Sequence, residues 1–151
     1  METPHGDIGS SRSPCGRLVA LILWIAFIWA NSLMPGDASS AESGFLLQLL
    51  RPLIEVLGID DLELAHTVLR KIGHFTEYAV LGVLAWRAFG REALVRAIAI
   101  GVAVPCIDET IQRFGPGRVG AVGDVLIDVA GCATALAICL LISARKKTGR
   151  S

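Results

Sequence analysis

LVALILWIAFIWANSLM, residues 18–34, decides how the rest of the chain is read. The stretch carries no charge, is about as long as a helix needs to cross a hydrocarbon core of roughly 30 Å, and follows Arg12 and Arg17. It reads as a first transmembrane helix. A cleaved signal peptide is the rival, with Ala38 and Ser40 as small residues near a cleavage point, but the apolar run is long and lacks a tidy A-x-A ending. Hydrophobic residues make up 53% of the 151, charged ones 19%, and mean hydropathy is +0.59, which leaves too little polar surface to coat a small soluble globule. Net charge is zero, so nothing global points to nucleic acid, and the expected solvent is the lipid bilayer.

Outward from this stretch, residues 1–16 are rich in Ser, Gly and Pro and read as a disordered cytoplasmic tail. Residues 35–70 form the longest connection. Within it, FLLQLLRPLIEVL (45–57) puts Gln48, Arg51 and Glu55 on one narrow stripe of an apolar helix, the pattern of a segment lying in the membrane interface. Pro52 could equally divide it into two shorter pieces. A second span is expected over about 72–89, followed by a tight turn at Gly90-Arg91-Glu92. Ala93 to Ile107 is apolar for only about 22 Å at 1.5 Å per residue, so a third helix must run on through Asp108, Glu109 and Gln112, to about residue 112, before reaching water. GPGRVG (115–120) is turn-rich, and a fourth span over 119–143 stops at the basic tail 145–151. Residues 17–144 thus form one membrane domain. The four cysteines, Cys15, Cys106, Cys132 and Cys139, lack C-x-x-C spacing and read as small hydrophobes.

Charge orients these spans. With the N-terminus inside, the cytoplasmic segments hold Arg12, Arg17, Arg87, Arg91, Arg96, Arg145, Lys146, Lys147 and Arg150, nine of the fourteen basic residues, but only Glu2, Asp7 and Glu92 of the fourteen acids. The expected fold is an all-α, integral membrane four-helix bundle with both ends in the cytoplasm and an extracytoplasmic interfacial helix between helices 1 and 2. That orientation gathers the start of the second span, the end of the third and the start of the fourth at the outer side.

Those three places hold the unusual residues: KIGHFTEY (71–78), DETIQRFGPGR (108–118) and GDVLIDVAG (123–131). A charge carried toward the bilayer centre costs about 2.5–3.5 kcal/mol on insertion scales, so each ionisable residue there is a functional candidate. His74 and Glu77 share a face beside Tyr78 and Leu81. Asp108 and Gln112 share one with Gly101 and Pro105, and Asp124, Asp128 and Gly131 align at i, i+4 and i+7. Gly82, Gly101 and Gly131 would allow close helix approach. Glu77, Asp108, Glu109, Asp124 and Asp128 give minus five against plus three from Lys71, Arg113 and Arg118. Partly buried, that surplus calls for protonation, a bound cation or a cationic substrate.

Lys71, His74, Phe75, Glu77, Tyr78, Leu81 and Gly82, followed by Asp108-Glu109, Gln112, Phe114, Pro116-Gly117-Arg118, Asp124 and Gly131, resemble the signature of the VanZ-like family of bacterial membrane proteins, as do Asn31-Ser32 and Pro35. Asp128 stands where that family more often has Asn. The resemblance implies a multi-pass protein of the bacterial cytoplasmic (inner) membrane. It also implies a link to the cell envelope, because the family is named for a member associated with low-level antibiotic resistance, to the glycopeptide teicoplanin. It implies no mechanism.

Three roles fit the layer. Side chains at helix ends can simply pair and pack, Lys71 with Glu77, and Arg118 with Asp108 or Asp124. The layer can instead bind an envelope component or a partner membrane protein, with Lys71, Tyr78, Glu109, Gln112, Arg113, Asp124 and Asp128 as contacts. Or it can be the active site of a hydrolase or transferase acting on a lipid-linked substrate from the outer leaflet. There His74 or Glu77 would serve as base, Arg118 as phosphate clamp, and Asp108 and its neighbouring acids as ligands for a divalent cation such as Mg²⁺, Mn²⁺ or Zn²⁺. No complete metal motif is present, and H-x-x-E alone is common.

Overall fold

The computed structural model describes residues 14–34, 44–45, 47–52, 55–56, 61–114 and 122–148. Four long helices are among them: α1 (Pro14–Ser32), α2 (Leu62–Phe89), α3 (Leu94–Phe114) and α4 (Val122–Thr148). No strand occurs among the described residues.

The helix boundaries follow local chemistry. Pro14 opens α1, where a missing N–H costs nothing, so the helix begins four residues before the apolar run and takes in residues 14–16 of the expected tail. Asp61 caps α2 by accepting the Leu64 N–H at 2.9 Å, and Glu63 adds negative charge to the first turn. This cap starts α2 ten residues ahead of Ile72, so His66 is a half-buried helical residue rather than a loop residue. Gly90 ends α2 at φ 66°, with its N–H donated to the Trp86 carbonyl at 2.7 Å, and a 3₁₀ turn over Arg91–Ala93 leads into α3. The chain reverses there, as the Gly-Arg-Glu sequence predicts. α3 continues through Asp108, Glu109 and Gln112 without interruption. α4 runs past Ser143 to Thr148, so Arg145, Lys146 and Lys147 form its last turn and complement its C-terminal dipole.

The helices bury stripes at helical spacing. Leu21, Ile28 and Ser32 do so on α1; Tyr78, Leu81, Gly82 and Ala85 on α2; Ala97, Gly101, Val104, Pro105, Asp108, Glu109 and Gln112 on α3; Asp128, Gly131, Cys132, Ala135 and Leu136 on α4. α2 packs most extensively on α4 and also touches α1 and α3; α3 bridges α1 and α4.

Two glycines set the α2–α4 approach. A Cβ on Gly82 would lie 2.6 Å from the Cys132 carbonyl oxygen, and one on Gly131 would overlap the Phe75 carbonyl oxygen. Gly101 brings α3 as close, since its Cβ would fall 2.6 Å from Cys132 Sγ. Cys132 is therefore buried as the sequence suggests, whereas Cys106 faces outward; every described cysteine is free.

The outward faces are apolar. Leu18, Ile22, Leu23 and Phe27 on α1, Val95 and Ile98 on α3, and Leu126, Leu141 and Ile142 on α4 are all exposed. α1 and α4 are long and apolar enough to cross a membrane. Only 17% and 28% of their apolar stretches are buried, unlike the core helix of a soluble protein. Within the expected interfacial segment, residues 45, 47–52 and 55–56 are helical, and Arg51 Nε pairs with Glu55 Oε1 at 2.9 Å.

Candidate functional site

The polar residues of α2, α3 and α4 meet at one end of the helix assembly, and α1 joins them. Lys71, His74 and Tyr78 descend one face of α2 at i, i+3 and i+7, opposite Asp124 and Asp128 at i and i+4 on α4. Lys71 Nζ donates to Asp124 Oδ1 at 3.2 Å. One turn further in, His74 Nδ1 lies 3.6 Å from Asp128 Oδ1. Deeper still, the Tyr78 hydroxyl sits beside the Asp108 carboxyl of α3, the phenol O–H being the donor and the carboxyl the acceptor of their interaction. Exposure falls along this file, from side chains 40% and 21% exposed at Lys71 and Asp124 to residues 0% and 1% exposed at Tyr78 and Asp108.

α3 closes the layer. Gln112 Nε2 donates to Asp108 Oδ2 at 2.8 Å, one turn back on its own helix, and to Ser32 Oγ of α1 at 3.2 Å. Glu109 is buried and pairs with the more exposed Arg113 at 3.5 Å. Glu77 is half-buried, and its backbone carbonyl accepts the Trp24 indole N–H at 3.1 Å, tying α1 to α2 beside the layer. Glu77, Asp108, Glu109 and Asp124 all lie within electrostatic range of Asp128, so the five acids form one cluster.

Ten of the eleven candidate residues therefore come together: Lys71, His74, Glu77, Tyr78, Asp108, Glu109, Gln112, Arg113, Asp124 and Asp128. Arg118 lies outside the described residues, and its expected pairing with Asp108 or Asp124 with it. The expected Lys71–Glu77 pair does not form. Six residues apart, the two point to different sides of α2, and Lys71 reaches across to α4 instead. Ser32 was not among the candidates, although Asn31-Ser32 at the end of an apolar run was its signal.

Among the described residues, Trp29 Nε1 of α1 is buried without a hydrogen-bond partner. Among the described residues, no three His, Cys, Asp or Glu side chains are placed to hold a metal ion. The arrangement gathers acidic, basic and amide groups in one layer, where they can donate, accept and exchange protons.

The described residues are helical with no strand, two of their helices are membrane-capable, and their apolar outer faces and polar layer gathered at one end are the features of a membrane protein. The VanZ/LLP1 family model matches residues 17–143, nearly the whole helical region, and the chain belongs to that family. No curated protein and no solved structure matches the chain.

Proposed function

We propose that this is a multi-pass protein of the bacterial cytoplasmic membrane that binds an envelope component in its polar layer and acts in the cell-envelope or glycopeptide-antibiotic response. In this reading α1 to α4 form a four-helix membrane bundle with both termini in the cytoplasm, the polar layer faces the outer side, and residues 45–57 lie at the outer interface. The observation that carries it is the layer itself, in which four helices contribute buried or half-buried polar groups to one end. A bundle held only by packing does not require five acids and a histidine in one layer.

A second reading, a membrane-embedded hydrolase or transferase acting on a lipid-linked substrate, draws on His74. Its Nδ1 faces the nearly buried Asp128 carboxylate, the relation in which a carboxylate orients an imidazole so that Nε2 can exchange protons. Arg118, as phosphate clamp, belongs to this reading.

The test is substitution with two readouts. His74→Ala, Glu77→Gln, Asp108→Asn and Arg118→Ala should abolish an envelope or glycopeptide phenotype of the expressed protein while its membrane abundance stays near wild type. Loss of the protein from the membrane in all four variants would make the layer a structural network and overturn the proposal.

A further inference from the structure

The zero net charge of the chain conceals a division along the bundle. Ser32, the last residue of α1, meets Gln112 near the end of α3, so α1 starts at the end opposite the polar layer. The turn between α2 and α3 lies at that opposite end too. Lys71 faces Asp124, His74 faces Asp128 and Gly82 packs beside Ala135, so α2 and α4 run parallel and α4 finishes there as well. On the described helices and their turn, this end holds Arg17, Arg87, Arg91, Arg96 and the run Arg145 to Lys147, against Glu92 alone. Every one of these side chains is exposed. The other end holds the five-acid cluster together with Asp61 and Glu63 at the start of α2, against Arg70, Lys71 and Arg113.

The register of α2 on α4 adds a second feature. Lys71 and Asp124 are 53 positions apart, an offset that sets Phe89, the last residue of α2, level with Ile142. α4 runs on to Thr148, about 9 Å further at 1.5 Å per residue, and carries Arg145, Lys146 and Lys147 on that projection. Leu141 and Ile142, immediately before it, are exposed and apolar, as are Val95 next to Arg96 and Leu18 next to Arg17. The cations thus stand at the edge of an apolar belt, which is where headgroup phosphates lie once that belt is in a bilayer. A nucleic acid approaching from water would meet the same charges but would leave the apolar side chains beside them uncovered.

We infer that this basic end gathers anionic phospholipids around itself through their phosphates, while the acidic end repels them. The inference requires only that the chain sits in a bilayer, and it is independent of what the polar layer holds. Arginine offers phosphate a paired fork and lysine a point charge. The contacts are exposed, so the lipids exchange and their hold weakens with salt. The chain thereby sorts anionic lipid to one of the two leaflets it touches.

The full chain, purified in detergent, is titrated with phosphatidylglycerol and with phosphatidylcholine of the same acyl chains, and retained lipids are counted by native mass spectrometry at low and high salt. Phosphatidylglycerol should be retained about fivefold or more over phosphatidylcholine, the factor expected from even one basic residue at an anionic surface. The preference should shrink at high salt. The combined Arg145→Gln, Lys146→Gln and Lys147→Gln variant, altered only on the exposed projection, should at least halve it, and combined Arg87→Gln, Arg91→Gln and Arg96→Gln should lower it too. Arg70→Gln, which removes an exposed charge at the acidic end, should leave it unchanged. Equal retention of the two lipids, a preference indifferent to salt, or one that neither triple variant lowers overturns the inference. Phosphatidylglycerol released by Asp108→Asn rather than by the triple variants would belong to the polar layer and overturn it as well. Should a triple variant fail to fold, the wild-type contrast between the two lipids and the two salt conditions still decides.

Discussion

Gln112 is the residue whose loss should be felt most directly in the layer. Its amide nitrogen serves both Asp108 Oδ2 and Ser32 Oγ, on two different helices. Gln112→Leu removes a donor and leaves two buried acceptors facing an apolar side chain, at a cost of about 1–3 kcal/mol. The thermal midpoint of the purified protein should drop accordingly. Lys71→Gln should cost less than about 1 kcal/mol, because the Lys71–Asp124 pair is partly exposed and screened. A midpoint that falls further for Lys71→Gln than for Gln112→Leu would contradict this ranking. The residue identities of the layer were legible in the sequence because ionisable groups stand out in apolar helices. Their partners were not. Lys71 meets Asp124, 53 positions away, and which residue lies opposite it on α4 depends on the register of two packed helices, which no local pattern encodes.

Among the helices, α2 and α4 form the pair on which the site depends, because their relative height sets whether Lys71 faces Asp124 and His74 faces Asp128. Gly131 and Gly82 fix that height. Gly131→Leu places a branched side chain against the Phe75 backbone, which cannot yield, and should destabilise by at least the 1–3 kcal/mol or so typical of overpacking. Gly73→Ala, where an added Cβ meets nothing within 4 Å, is the matched control and should be neutral. Membrane abundance and elution profile of the two variants measure the difference; equal behaviour would mean that the α2–α4 contact does not govern assembly. Helix existence was readable from apolar runs, and the forced continuation of α3 through Asp108 and Gln112 followed from length alone. The start of α2 was not read, because His66 and Arg70 interrupt its apolar count, although Asp61 ahead of Leu62-Glu63 carries a capping signal.

For the whole molecule, the positive residues at the N-terminus, around Arg91 and at Arg145 to Lys147 make both ends cytoplasmic in the proposed topology. Single cysteines introduced at Ser40 and Gly120 should react with an impermeant reagent added to intact cells, and those near Arg91 and Lys147 should react only after lysis. Labelling at Gly120 from the cytoplasm alone would invert the bundle and put the polar layer on the wrong side for an envelope ligand. The most direct test of the central claim, that the layer holds an envelope component, is native mass spectrometry of the full chain taken gently from its membrane. The account predicts one bound molecule per chain, lost on Asp108→Asn with the fold intact. A wild-type protein that leaves the membrane with nothing bound, and that captures nothing when returned to envelope lipid extract, would contradict it.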